Sequence, residues 1–161
     1  MDSHQSLSKQ VGQLLLDKQQ MLATAESCTG GGVATAITDI AGSSSWFDRA
    51  FVTYSNEAKV EMLGVQTQTL EQHGAVSEPV VMEMVTGALT HSNATIAVSI
   101  SGIAGPGGAT EDKPVGTVCF AWADTNEWMK IDTVHFGGDR SSVRSQAVEY
   151  ALQTLVDYLN Q

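Results

Sequence analysis

The chain has 161 residues, about one domain's worth. Hydrophobic residues make up 42% and charged residues 16%, enough to bury a sizeable core and unlike a disordered chain. The net charge of −10 repels phosphate backbones and anionic membrane surfaces, so neither nucleic acid nor a membrane is an expected partner.

Leu7, Val11, Leu14 and Leu15 recur at helical spacing and predict an amphipathic helix over residues 4–19. Met21 to Ala25 is a short apolar run that stops at Glu26. After the glycines, Val33, Ala36, Ile37 and Ile40 return to helical spacing, so this stretch reads as strand, tight turn, helix. Phe47 to Tyr54, rich in aromatic and β-branched residues, predicts a second strand, and Asn56 to Leu63 a second crossover helix. Ser77, Glu78 and Pro79 form a helix start, with a capping hydroxyl, an acid near the positive end and proline in the first turn; that helix is expected to end near Asn93.

Ala94 to Ile100 is almost continuously apolar, as a central strand covered on both faces requires. A glycine-rich loop from Gly102 to Gly108 then leads into two strand-like runs, Gly116 to Ala123 and Trp128 to Phe136, expected to pair as a hairpin. The last helix carries Val143, Ala147, Ala151 and Leu155 on one face. The expected fold is a single-domain layered α/β/α sandwich over residues 1–161, with a mixed, mostly parallel sheet and no internal repeat or linker. No run approaches the roughly 20 apolar residues of a membrane span, and residues 1–20 lack a basic start followed by an apolar block, so a cytoplasmic location is expected.

Four segments carry candidate chemistry. Glu26-Ser27-Cys28-Thr29-Gly30-Gly31-Gly32 lies where a strand hands over to a helix, a turn that can aim a hydroxyl outward beside unpaired backbone N–H groups. The competing reading is that Ser27 or Thr29 simply caps the helix while the glycines allow close packing. In Tyr54-Ser55-Asn56-Glu57-Ala58-Lys59, a cap at Ser55 or Asn56 would put Lys59 in the first turn, where the helix dipole depresses its pKa and favours a neutral general base. A solvated lysine beside an acid fits the same spacing.

The Ser99 to Gly108 segment sits at the end of the expected central strand, where open α/β sheets bind ligands, although a plain connection fits too. It matches neither a dinucleotide fingerprint nor a P-loop, because Thr110 replaces the third glycine and no Gly-Lys-Ser/Thr follows. Arg140 and Arg144 follow Gly137-Gly138-Asp139 and share a helix face near its positive end. A phosphate would relieve that repulsion, with Arg140 the better ligand; neutralisation by Asp139 and Glu149 is the alternative.

Two cysteines are too few for a disulfide framework or, alone, a tetrahedral metal site. His4, His73, His91 and His135 show no two-ligand spacing, so no metal is expected and His135 reads as structural. Cys28 adjoins Ser27 and is a second possible nucleophile, although neighbours on a tight turn usually point apart. Cys119 reads as core.

Together, Ala25-Glu26-Ser27-Cys28-Thr29-Gly30-Gly31, Tyr54-Ser55-Asn56 with Lys59, Gly74-Ala75-Val76-Ser77-Glu78, Ser101-Gly102-Ile103-Ala104-Gly105-Pro106, Lys113-Pro114-Val115-Gly116-Thr117-Val118 and Gly138-Asp139-Arg140 resemble the CinA C-terminal domain family over residues 5–158. The resemblance implies a metal-independent amidohydrolase, without cofactor, that deamidates nicotinamide mononucleotide to nicotinate mononucleotide and ammonia, in a homodimer with an α/β sandwich fold. It implies Ser27 as nucleophile, Lys59 as base, Tyr54 as a proton relay or orienting group, and Ser101 in the same site. It further implies that amides at Gly30 and Gly31 hold the oxyanion, that Arg140 and the loop with Gly102 and Gly105 grip the phosphoribosyl group, and that Thr29 and Asn56 join the binding set. The N-terminal domain of longer members, associated with pyrophosphatase activity, does not fit in 161 residues, so that activity is not expected. Two other classes stay open: a nucleotide-binding module without turnover, and an amidase for another small carboxamide.

Overall fold

The computed structural model describes residues 3–161. Five strands form one sheet: β1 (Leu22–Glu26), β2 (Phe47–Val52), β3 (Ile96–Gly102), β4 (Thr117–Asp124) and β5 (Met129–His135), in the order β2-β1-β3-β4-β5. β1 pairs parallel with both β2 and β3, and β4 pairs antiparallel with β3 and β5. Only β4 runs against the other four, which is the expected mixed, mostly parallel sheet. β1 and β4 are buried throughout and β3 nearly so, whereas the edge strands β2 and β5 are half exposed.

Side chains alternate across a strand, and here the two sheet faces differ in size. Ile96, Val98, Ile100, Val118, Phe120 and Trp122 point to one face, where they pack on α1 (Ser3–Asp17), α2 (Gly32–Thr38) and α6 (Arg140–Leu159) through Val11, Leu15, Ile37, Ala147, Ala151 and Leu155. Trp122 stacks on Phe120 at 5.4 Å and donates its indole N–H to Ala151 O at 3.2 Å. Truncating such a fully buried indole costs about 3–5 kcal/mol.

The opposite face presents Ala23, Ala25, Ala97, Ala121 and Ala123, small residues that let α5 (Glu78–Thr90) settle close with Val81, Met84, Val85 and Ala88. The fit is tight enough for Ser99 Oγ, inside β3, to donate to Val81 O in α5 at 2.6 Å. α3 (Asn56–Leu63) and α4 (Thr67–His73) lie outside α5.

Three local features differ from expectation. α4 is not among the expected elements: its residues Thr67 to His73 show no apolar repeat, and none of them is buried. Ser77 stands at the N-cap of α5 but its hydroxyl donates to Gly74 O at 2.7 Å and caps no amide; Glu78 and Pro79 occupy the first turn as expected. Neither Ser27 nor Thr29 caps α2: its N-cap is Gly31, with φ +95°, and the amides of Val33 and Ala34 turn to the Glu26 carboxylate instead.

The connection from β1 to β2 leaves through α2 on one face, and that from β2 to β3 returns through α3, α4 and α5 on the other. The two crossovers part at the carboxyl end of β1. Such a divergence opens a crevice between neighbouring parallel strands, the usual place for a ligand in an open α/β sheet.

Candidate active site

A cleft of about 270 Å³ occupies that crevice. Its floor is built by Ser27 from the end of β1 and by Ser101 and Gly102 from the end of β3. Tyr54, Asn56 and Lys59 enter from the β2–α3 corner, and Arg140 closes one side from the start of α6. Ile103, Ala104 and Gly105 of the glycine-rich loop form one wall, and Ala75 and Val76 of the α4–α5 connection form another. Segments spread over more than 100 residues of chain therefore meet at one sheet edge.

Lys59 owes its position to a helix cap. Ser55, in extended conformation, accepts the Ala58 amide at 3.0 Å on its hydroxyl and starts α3. The Lys59 side chain then runs inward and is 1% exposed. Nζ lies 3.0 Å from Ser27 Oγ, and it donates to Thr53 O at 2.9 Å and to Tyr54 O at 3.3 Å. Burial lowers the amine's pKa from the ordinary lysine value, partly opposed by the nearby Cys28 thiol. Desolvation of the charged form is the leading cause, and it acts in the direction expected from the helix position.

As an ammonium Nζ has three N–H donors for these three oxygens; as a neutral amine it keeps two donors for the carbonyls and turns a lone pair to the serine hydroxyl. Ser27 itself is anchored by its N–H, which donates to Ile100 O at 3.0 Å. The Ser27 hydroxyl and the Lys59 amine are thus within the 2.6–3.2 Å reach that proton transfer requires.

Cys28 also lines the cleft, with its Sγ beside Gly102. It is 5% exposed and belongs to the core on the α2/α6 face, and burial pushes its thiol up to about 12. Such a thiol is protonated at neutral pH and is a poor nucleophile. Cys119 is likewise buried, against the α5 face, and His135 Nε2 pairs with Val115 O at 2.8 Å beside the β4–β5 hairpin.

Arg140 spans the cleft mouth, donating from Nη1 to Gly105 O at 2.8 Å and from Nη2 to the Tyr54 hydroxyl at 3.1 Å. Tyr54 is 63% exposed. Arg144 does not share the ligand role considered for the arginine pair: its Nε and Nη2 donate to Cys28 O at 3.0 Å and Thr29 O at 3.2 Å, outside the cleft. Asp139 caps α6 through the Ser142 amide instead of neutralising a guanidinium.

Of the residues singled out from sequence, Ser27, Cys28, Lys59, Tyr54, Ser101, Asn56, Gly102, Gly105 and Arg140 come together in the cleft. Thr29, Gly30 and Gly31 do not. The Thr29 hydroxyl is held by Glu26 at 2.7 Å, the Gly30 N–H donates to Ser27 O at 3.0 Å, and Gly31 abuts Val52. The Gly30 amide is therefore committed to the turn itself and is not free to receive an oxyanion. Ala75 and Val76 were not foreseen as lining; only the apolar pair within Gly74 to Ser77 hinted at a buried connection. A larger groove of about 500 Å³ between α3 and α4 is lined by Val60 and Leu70 with Glu57, Glu61 and Glu71, and holds neither nucleophile nor base. Among the described residues no cluster of three His, Cys, Asp or Glu is arranged to hold a metal ion, and no helix is long and apolar enough to cross a membrane.

Residues 4–159 match the family model described as the CinA C-terminal domain. The chain belongs to this family. It is 62% identical over 149 residues to the nicotinamide-nucleotide amidohydrolase PncC of Escherichia coli (strain K12), covering 92% of this chain and 90% of that protein. It is 56% identical over 148 residues to the protein of the same name from Enterobacter agglomerans, with the same coverage. Among solved structures it is similar to the competence/damage inducible protein CihA from Agrobacterium tumefaciens, with a TM-score of 0.96 and 43% identity, covering 100% of this chain and 98% of that one. The CinA fold thus extends over essentially the whole described chain.

Proposed function

We propose that this chain hydrolyses the carboxamide of nicotinamide mononucleotide, giving nicotinate mononucleotide and ammonia, with Ser27 as nucleophile and Lys59 as general base. The observation that carries the reading is the 3.0 Å approach of a buried, desolvated lysine amine to a serine hydroxyl in the cleft. A serine–lysine pair is an established variant of hydroxyl activation. The names of relatives up to 62% identical over 90% of their length supply the substrate class.

In this reaction Ser27 Oγ adds to the carboxamide carbon while its proton passes to the Lys59 amine. The C–N bond then breaks as the Lys59 ammonium returns that proton to the departing nitrogen, and ammonia leaves. Water attacks the resulting ester, giving its proton to Lys59. The bond to Ser27 breaks, Oγ recovers the proton, and the carboxylic acid is released. The Ser101 hydroxyl, 1% exposed and lining the cleft, takes part of the charge that develops on the carbonyl oxygen. Arg140 offers a guanidinium to the 5′-phosphate, and Val76 and Ile103 provide apolar walls for the pyridine ring.

The test is an ammonia-release assay with nicotinamide mononucleotide on wild type, Ser27→Ala, Lys59→Ala and Cys28→Ala. Turnover is expected from wild type and Cys28→Ala and is lost in the other two, with nucleotide binding retained in Lys59→Ala. Binding without ammonia release in wild type overturns the enzymatic reading. Loss of turnover in Cys28→Ala alone overturns the choice of nucleophile.

A further inference from the structure

We propose that Glu26 and Arg144 form a two-sided positioning clamp on the turn that carries Ser27, and that the rate of the chemical step depends on this clamp although neither side chain lines the cleft. The proposal rests on the Ser27–Lys59 reading above. Residues 27–31 belong to neither β1 nor α2, so something other than a regular ladder must hold the nucleophile still.

On one side stands a carboxylate with no exposure at all. Glu26 Oε1 accepts from Thr29 Oγ1 at 2.7 Å and from the Val33 amide at 2.9 Å. Oε2 accepts from Thr24 Oγ1 and from the Ala34 amide, each at 3.0 Å. One side chain therefore ties the strand before Ser27, the turn after it and the first residues of α2 into a single unit. Four donors offset the desolvation of the charge, which an unpaired buried carboxylate could not tolerate.

On the other side stands a cation. Arg144, reaching from α6, takes the carbonyls of Cys28 and Thr29, the two residues directly after the nucleophile. The anion collects the Thr29 hydroxyl and the first amides of α2, and the cation collects the carbonyls of Cys28 and Thr29, so the turn is held from both sides. Gly30 belongs to the same device: at φ +59°, a Cβ there would sit 3.2 Å from the Arg144 Nη2. The Glu26 backbone extends the link to the base, because its carbonyl accepts the Thr53 amide at 2.9 Å and Thr53 O in turn receives the Lys59 amine. Burial and Cys28 are the causes that shift the Lys59 amine.

The measurement is ammonia release from nicotinamide mononucleotide across pH for wild type, Glu26→Gln, Arg144→Lys and Arg144→Met. Thermal unfolding and the rate of Ser27 labelling by a small fluorophosphonate are followed in parallel. Glu26→Gln keeps the shape but sets an NH2 group where the Val33 or Ala34 amide needs an oxygen. Because a misplacement near 1 Å can slow a reaction about a hundredfold, kcat and labelling are expected to fall together by about that factor in Glu26→Gln and Arg144→Met. Arg144→Lys, which keeps one charged donor, is expected to lose about tenfold, with KM within about threefold and the pH midpoint unmoved in every variant.

Folded variants with kcat within about threefold of wild type overturn the clamp, as does a loss confined to KM. A pH midpoint that moves in Glu26→Gln also overturns it, because the carboxylate would then be an acid–base group. Should Glu26→Gln fail to fold, the half-buried Arg144 and its two variants decide. Retained turnover in Ser27→Ala would instead defeat the nucleophile reading, a result distinct from any outcome at Arg144.

Discussion

The guanidinium of Arg140 and the phenol of Tyr54 meet at 3.1 Å across the mouth of the cleft, although 86 residues of chain separate them. The same guanidinium holds Gly105 O, so the β2–α3 corner, the glycine-rich loop and the start of α6 are joined at one cation. An arriving phosphate would exchange these neutral partners for charged oxygens. Losing one charge-assisted contact of about 2 kcal/mol corresponds to about thirtyfold in affinity. Arg140→Ala is therefore expected to raise KM for the mononucleotide by about that factor, while Tyr54→Phe raises it by less than tenfold. Steady-state kinetics with the mononucleotide and with free nicotinamide check this, because only the former is expected to respond to Arg140.

The pH dependence follows from the buried amine. Lys59 acts as a base only when neutral, and burial lowers its pKa from the ordinary lysine value. The rate is therefore expected to fall as pH drops through this lowered pKa, giving an acidic limb that lies below the ordinary lysine range. Between the lowered folded value and the ordinary one, the unfolded chain binds a proton that the folded chain does not. Stability contributed at Lys59 thus rises with pH across that window and is lost as pH falls through the folded pKa. Denaturant unfolding of wild type and Lys59→Met at several pH values reads this as a difference that moves in favour of wild type as pH increases.

Cys28 provides a contrast at the neighbouring position. With its thiol pushed up to about 12 and 5% exposed, it is expected to resist iodoacetamide in the native protein at pH 8 and to react only after unfolding. Mass spectrometry of the alkylated protein reports this directly. Rapid native-state labelling of Cys28 would contradict the burial described above.

Gly87 in α5 passes directly under the carboxyl end of α3. A Cβ there would lie 1.9 Å from Leu63 O, a backbone atom that cannot swing aside. Gly87→Ala is expected to destabilise the fold by about 1–3 kcal/mol, the usual cost of overpacking. Chemical denaturation gives the stability, and the kcat of the protein that remains folded reports whether Lys59 has shifted with α3.

Much of this architecture could be read from the chain because burial and spacing coincide. The apolar Ala94 to Ile100 run forecast the central strand, and the Ser55 cap correctly placed Lys59 in the opening of α3. Other features depend on partners far away in sequence. Arg140 and Arg144 have the same residue type, the same helix and one turn of separation, yet one faces the cleft and the other grips carbonyls more than 100 residues earlier. Periodicity assigns both to one face and cannot distinguish those partners. The Thr29, Gly30 and Gly31 expectation failed for a related reason: a glycine-rich turn exposes amides in principle, but here Ser27 O takes the Gly30 N–H. α4 escaped notice because a helix that buries nothing leaves no apolar stripe.

The two crossovers that part at β1 have unequal footings. Ser27 stands at the end of a fully buried strand paired on both sides, whereas Lys59 rides on an eight-residue helix resting chiefly on α5. Warming should loosen the lighter support first, so catalysis would fade while tryptophan fluorescence still reports an intact sheet. Amide exchange would register that early failure as quick deuterium uptake in residues 56–63 and slow uptake along β3.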